Sequence, residues 1–380
     1  MPTPEPTDVR SLFPGTRDCA YLDAASVGIV STRTAAAVAA VVDGHMRLVG
    51  AAKPGWLATI ARTRGLLAEL VGGRAEGIAF TQNTSTGLAL VTGGLDWRDG
   101  DNVVVPAGEF PSNAYPWQVL RRWGVELREA PMRDGHADLD ELATLVDRRT
   151  RVVSLSAVQY TSGHRYDLAR VAEVCRRHEA LVVVDGTQAV GAVRVDADAA
   201  GIDVLAVAAH KWILGPAGIG FVHVSPRALE RLHPSVAGWR SVEDPFAFDH
   251  EPDFAADARR LESGTENAAG IAGLAEAVGL VLELGRERVE RTVLERADEL
   301  TGALESIGVR TRRDADPARR SGIVVATTGG DDAAVHARLL ESGVRCALRG
   351  GLRFAPHVYN DTADITRAVE LLTDARDASG

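Results

Sequence analysis

The run Leu181-Val182-Val183-Val184-Asp185 is apolar at four successive positions and then stops on an acid. A strand with one wet face alternates apolar and polar residues. An unbroken apolar run belongs to a sheet covered by helices on both faces, which means mostly parallel strands. Further strands are expected at Ile78–Thr81, Asn102–Val105, Glu126–Ala130, Arg151–Ser156, Val204–Ala208 and Gly218–Val224, several of them also continuous apolar runs. Helical periodicity fills the intervals, for example over Leu139–Val146 and Leu168–His178. From Tyr21 to about residue 250 the chain therefore reads as successive βα units, an α/β fold with a mostly parallel, seven-stranded sheet.

The pattern dissolves in an aromatic and charged loop, Val236 to Asp257. Beyond it the periodicity predicts helices over Ala269–Arg288 and Arg291–Ser306, strands near Gly322–Ala326 and Leu352–Ala355, and helices near Asp332–Ser342 and Thr362–Ala375. The expected organisation is an N-terminal arm (1–20), a large domain (21–257) and a smaller C-terminal α/β domain (258–380). A chain of 380 residues has length enough for two such cores.

A net charge of -10 argues against nucleic acid or anionic membranes as partners. The longest apolar stretch, Ala268 to Leu284, is interrupted by Glu276 and Glu283 and reads as a packed or interfacial helix. The first ten residues lack the basic start and apolar run of a signal peptide. Cys19, Cys175 and Cys346 are scattered, with no metal-ligand spacing, which suits a reducing cytoplasm and no metal. Of 42 basic residues only Lys53 and Lys211 are lysines. In a chain so biased to arginine, a retained lysine points to an amine that must lose its proton.

Ligands of parallel sheets sit beyond the carboxyl ends of the strands. Leu181–Asp185 ends in an acid followed by Gly186-Thr187-Gln188. Val204–Ala208 ends two residues before His210-Lys211. Ile78–Thr81 runs into Asn83-Thr84-Ser85-Thr86, which opens a helix. Each element alone has an ordinary explanation, as a turn, a cap or a surface charge. The stretch Gly215-Pro216-Ala217-Gly218-Ile219-Gly220 precedes a strand, so it is no dinucleotide loop, and no GxGxxG follows any strand.

The segments VVVDGTQAVG and AAHKWILGPAGIGF, with YLDAASVG, TQNTSTGL, GEFPSNAYPW, LESGTEN and GGLRFAPHVYN in the same order, resemble the class V aminotransferases. These are pyridoxal-phosphate (PLP) enzymes of fold type I and include cysteine desulfurases, selenocysteine lyases, kynureninases and isopenicillin N epimerases. The resemblance implies that Lys211 carries PLP as a Schiff base and, once released, acts as the base at the substrate Cα. Asp185 would pair with the pyridine nitrogen, Gln188 with the ring 3-oxygen, and Phe110 would stack on the ring. Thr84, Ser85 and His210 would hold the phosphate, and Thr265 would reach the phosphate of a second subunit, making a homodimer with shared active sites. Arg353 would clamp the α-carboxylate of an amino-acid substrate, with Ala25 and Tyr160 beside it. Ala208 departs from the serine that family members often carry there.

For the reaction itself the resemblance is divided. Phe110 replaces the stacked histidine of desulfurases, and VRCALRGGLRF is too short for their cysteine-bearing loop, leaving Cys346 as a small buried hydrophobe. Elimination at the side chain, a C–S or β-lyase step, is the expected outcome, with aminotransfer and epimerisation as alternatives. A non-catalytic PLP regulator would carry a basic DNA-binding segment, and none precedes Tyr21.

Overall fold

The computed structural model describes residues 6–251 and 253–377. Its main sheet holds β1 (Ile78–Thr81), β2 (Asn102–Pro106), β3 (Glu126–Ala130), β4 (Thr150–Ser156), β5 (Leu181–Asp185), β6 (Val204–Ala208) and β7 (Gly220–Val224). The spatial order is β1-β7-β6-β5-β4-β2-β3. All run parallel except β7, which opposes both its neighbours. The seven expected strands form, with one shift. Gly218, at φ 78°, still belongs to the preceding turn, and β7 begins at Gly220 opposite Ala208.

Every residue of β2, β5, β6 and β7 is buried. The pleat divides them between two cores: Val182, Val184, Leu205 and Val207 on one face, Leu181, Val183, Val204 and Ala206 on the other. Each buried valine or leucine contributes about 1.5–3 kcal/mol of transfer free energy. Because both faces are apolar, covering helices rather than alternation keep the sheet dry. These include α2 (Lys53–Val71), α3 (Thr84–Gly94) and α4 (Leu168–Arg177), while α1 (Thr32–Leu48) lies further out, with only Thr34 buried.

The expected helix Ala269–Arg288 is not continuous. It ends as α5 (Ala268–Leu284), and α6 (Arg286–Ser306) leaves it at 84°. Gly285, at φ 85°, makes the corner that a residue with a Cβ would resist. Helix α5 packs along α1 and α2. An antiparallel sheet follows, with β8 (Arg310–Arg312), β9 (Val324–Thr327), β10 (Ala347–Leu348) and β11 (Leu352–Phe354) in the order β8-β9-β11-β10. It packs with α6, α7 (Asp332–Glu341) and α8 (Thr362–Asp377) around its own core of Leu300, Val324, Leu339, Phe354 and Leu372.

The N-terminal segment is tied to this C-terminal unit. Arg10 pairs with Asp364 at 2.6 Å, and Ala20–Tyr21 lies parallel to Val344–Arg345. One surface is unusual. A window within Thr32–Val71 has mean hydropathy 1.3 and is only 6% buried, long and apolar enough by composition to cross a membrane.

Candidate active site

The carboxyl ends of β1, β4, β5 and β6 meet at one edge of the main sheet, as parallel topology requires. A cavity of about 270 Å³ opens there. Ala25, Thr84, Phe110, Tyr160, Asp185, Gln188, His210, Lys211 and Arg353 all line it. Ser85 does not; its hydroxyl donates to Ser112 at 2.8 Å, and Ser112 is the one that faces the cavity. Thr265 is exposed and lies away from the cavity of its own chain. Two larger clefts, of about 710 and 610 Å³, contain neither lysine nor strand-end acid.

Asp185 closes β5, pinned by a hydrogen bond from the Thr187 N–H at 2.9 Å. Burial raises its pKa, while the Thr187 contacts and the Lys211 charge pull the other way. Burial lowers the Lys211 pKa, with Asp185 opposing that shift and Arg353 adding to it. Both groups are thus pushed toward neutrality by loss of water. A neutral amine is the nucleophilic form of lysine. A buried carboxylate held by few donors, in turn, suits a cationic ring placed against it.

Gln188 is anchored at both ends of its amide. Its nitrogen donates to the Ala25 carbonyl at 2.9 Å, and its oxygen accepts from the Trp212 indole at 2.8 Å. One amide hydrogen remains for the cavity. Helix α3 begins here with Asn83 as its cap, accepting from the Thr86 N–H at 2.9 Å. The N–H groups of Thr84 and Ser85 at that helix start have no intrahelical partner, the arrangement that receives a phosphate. The Thr84 hydroxyl lies 2.6 Å from that of Thr187, which accepts from the Ala208 N–H at 3.2 Å. Thr187 thereby occupies the neighbourhood where Ala208 lacks a hydroxyl.

Arg353 is 3% exposed, and burial lowers its pKa. It donates to the Tyr160 carbonyl at 3.1 Å and to the Ser26 hydroxyl at 2.7 Å, and meets Asp23 at only 3.4 Å. Its Nε has no partner among the described residues. A buried guanidinium left this underpaired is ready for a carboxylate.

The cavity also contains residues the sequence reading did not single out: Ser26, Ser112, Ser156, Thr187 and Arg349. Behind Ser156 sits Glu109, 7% exposed, which accepts from the Ser156 N–H at 2.7 Å and its hydroxyl at 2.5 Å. Burial pushes this carboxyl up to about 7, and the Asp185 charge adds to the rise. The signal was local. Glu109 adjoins Phe110, and Arg349 stands four residues before Arg353.

These residues fit PLP: a buried amine, a buried strand-end acid, a helix start, an aromatic face and an underpaired guanidinium around a space of suitable size. Comparison with known proteins agrees. Residues 38–369 match the family model "Aminotransferase class-V". The chain is 30% identical to a probable cysteine desulfurase of Methanothermobacter thermautotrophicus, over 97% of both chains. Among solved structures it superposes on the cystine C–S lyase C-DES in complex with its reaction product cysteine persulfide (TM-score 0.88, 28% identity, 95% of this chain and 99% of that one). A variant of C-DES with glycine covalently linked to its PLP cofactor gives a TM-score of 0.89 at 28% identity, over 98% and 100% of the two chains. The chain belongs to the class V aminotransferase family of PLP-dependent, fold type I enzymes.

Proposed function

We propose that the chain cleaves a C–S bond by β-elimination, with cystine or a similar sulfur-bearing amino acid as substrate. For cystine and one water the products are pyruvate, ammonia and cysteine persulfide, which balances. The observation that carries this choice is the absence of a thiol from the cavity. Cys346 is 5% exposed and burial pushes its thiol up to about 12; Cys175 is buried in the main core and is likewise pushed up to about 12. Cys19 donates to the Gly15 carbonyl on the N-terminal segment. Desulfuration onto an enzyme cysteine needs a thiolate at the substrate. Elimination needs none.

When bound, PLP supplies the electron sink that makes the substrate Cα acidic. Lys211 would hold it and then move the Cα proton, its amine shifted toward the neutral form by burial. Asp185 would hold the proton of the pyridine nitrogen. Thr84, Ser85, Ser112 and His210 would bind the phosphate, Phe110 would cover the ring, and Gln188 would donate to the ring oxygen. Arg353 would orient the α-carboxylate, with Ala25 and Tyr160 as neighbouring walls. Arg349, exposed at the mouth, would take a second carboxylate such as cystine carries.

Finer assignments belong to the same reading. The division near residue 257 would separate the cofactor-binding sheet from a smaller C-terminal domain. The exposed Val42, Met46, Leu48 and Val49 of the α1 end, with Trp239, Phe246 and Phe248, would meet a second copy, and Thr265 would face that copy's phosphate site. Free thiols at all three cysteines fit the cytoplasm. Scattering mass determination of the holoenzyme should return a dimer.

Product analysis with cystine and cysteine, with and without a 2-oxo acid, tests the reaction. Pyruvate and persulfide from cystine are expected, and Cys346→Ala should retain activity. Alanine plus enzyme-bound persulfide would mean desulfuration, and turnover only with oxo acid would mean aminotransfer.

A further inference from the structure

The opposite edge of the main sheet, where β2, β4 and β5 begin and antiparallel β7 ends, holds the cleft of about 710 Å³. Six arginines face it from four chain segments. Arg98 comes from the turn before β2, Arg148 and Arg151 from the start of β4, and Arg176 from the last turn of α4. Arg227 and Arg231 come from the short helix Pro226–Leu229 and the turn after it.

Two of these charges are answered in place. Arg227 pairs with buried Asp203 at 2.7 Å, and Arg151 with buried Asp101 at 3.1 Å. Arg231 donates to the Glu179 carbonyl at 2.8 Å, and the Glu179 carboxylate is the third acid nearby. Among the described residues, the guanidiniums of Arg98, Arg148 and Arg176 have no ion-pair partner. Burial lowers the Arg231 pKa, and Arg151 and Arg227 push the same way. Guanidiniums do not shed their proton, so like charges gathered in one concavity repel until an anion enters. In a chain of net charge -10, this is a local reversal of sign.

We propose that this cleft binds a small polyanion with two or more linked phosphates, such as inorganic tripolyphosphate or the tail of a nucleoside triphosphate. The planar forks of arginine match phosphate oxygens two at a time. Forks approaching from four segments need several oxygens spread over a span, more than one phosphate presents. The volume lies within the roughly 300–1,000 Å³ of small-molecule sites. Strand β4 carries Arg151 at this cleft and Ser156 at the cofactor cavity, roughly 17 Å apart at about 3.3 Å per residue, so the ligand would not compete with the cofactor phosphate.

Titration calorimetry and thermal unfolding of the holoenzyme with tripolyphosphate, ATP and orthophosphate, in about 0.15 M salt, test the assignment. Tripolyphosphate should bind at one site per chain, raise the melting temperature and leave the visible spectrum of the cofactor unchanged. Arg148→Ala with Arg176→Ala, both exposed, should weaken binding at least tenfold, and exposed Arg17→Ala should not. Equal binding of ATP would mean that the phosphates alone are read; tighter binding would add a contact to the nucleoside. No binding of tripolyphosphate, binding untouched by the double substitution, or loss of cofactor absorbance on titration would overturn the proposal.

Discussion

The Lys211 amine lies 5.2 Å from the centroid of the Phe110 ring, across the floor of the cavity. Phe110 is held edge-on by Tyr160, with ring centroids 5.2 Å apart and planes at 80°. Its face is therefore presented to the cavity, and 38% of the residue is still exposed. An aromatic pair adds about 0.5–1.5 kcal/mol beyond its buried area. Phe110→Ala should raise the PLP dissociation constant roughly tenfold, as read by dialysis and absorbance, while melting of the apoprotein changes little.

Glu109 gives a pH signature independent of turnover. Its carboxyl is raised from 4.5 to about 7 in the folded chain. In the window from pH 4.5 to 7 the folded state therefore binds more protons than the unfolded one, and stability falls as pH rises. The cost is absent below pH 4.5 and fully present above 7, where it amounts to about 3 kcal/mol. Glu109→Gln removes it and keeps an acceptor for the Ser156 N–H. Denaturant melts of the two apoproteins should diverge across that window, with the variant more stable at pH 8. Parallel curves would remove Glu109 from the account.

Arg353 and Arg349 should separate by substrate. Hydrogen bonds between charged groups contribute about 1.5–3 kcal/mol, or roughly ten- to a hundredfold. Arg353→Ala should lower kcat/KM by about that factor for every amino acid tested. Arg349→Ala should raise KM for cystine, which has a second carboxylate, and leave S-alkyl cysteines nearly unchanged. Equal losses for both substrates would place Arg349 in the general binding machinery.

What could be read from the sequence was local. The apolar runs marked the central strands, because two-sided burial leaves its pattern in the residues themselves, whereas edge strand β3, Glu-Leu-Arg-Glu-Ala and mostly unburied, carries no such run. Asp185, Lys211 and Thr84 could be gathered because strand ends are predictable positions in a parallel sheet. Contacts made across the fold left no such trace. Glu109 could be noticed beside Phe110, but its bonds to Ser156, 47 residues away, could not be read from the sequence. Ser85 turned to Ser112, and Thr187 filled in beside Ala208, since side-chain direction is set by packing. The corner at Gly285 was missed because a glycine within a helical pattern can continue the helix or end it.

The central claim is that Lys211 is the residue covalently joined to PLP. The chain offers an unusually clean test, because its only other lysine is Lys53, on α2. Borohydride reduction of the yellow holoenzyme followed by peptide mass spectrometry should place one pyridoxyl group on Lys211 and none on Lys53. Lys211→Ala should abolish both the label and turnover. A label on Lys53, no label at all, or undiminished turnover in Lys211→Ala would contradict the account.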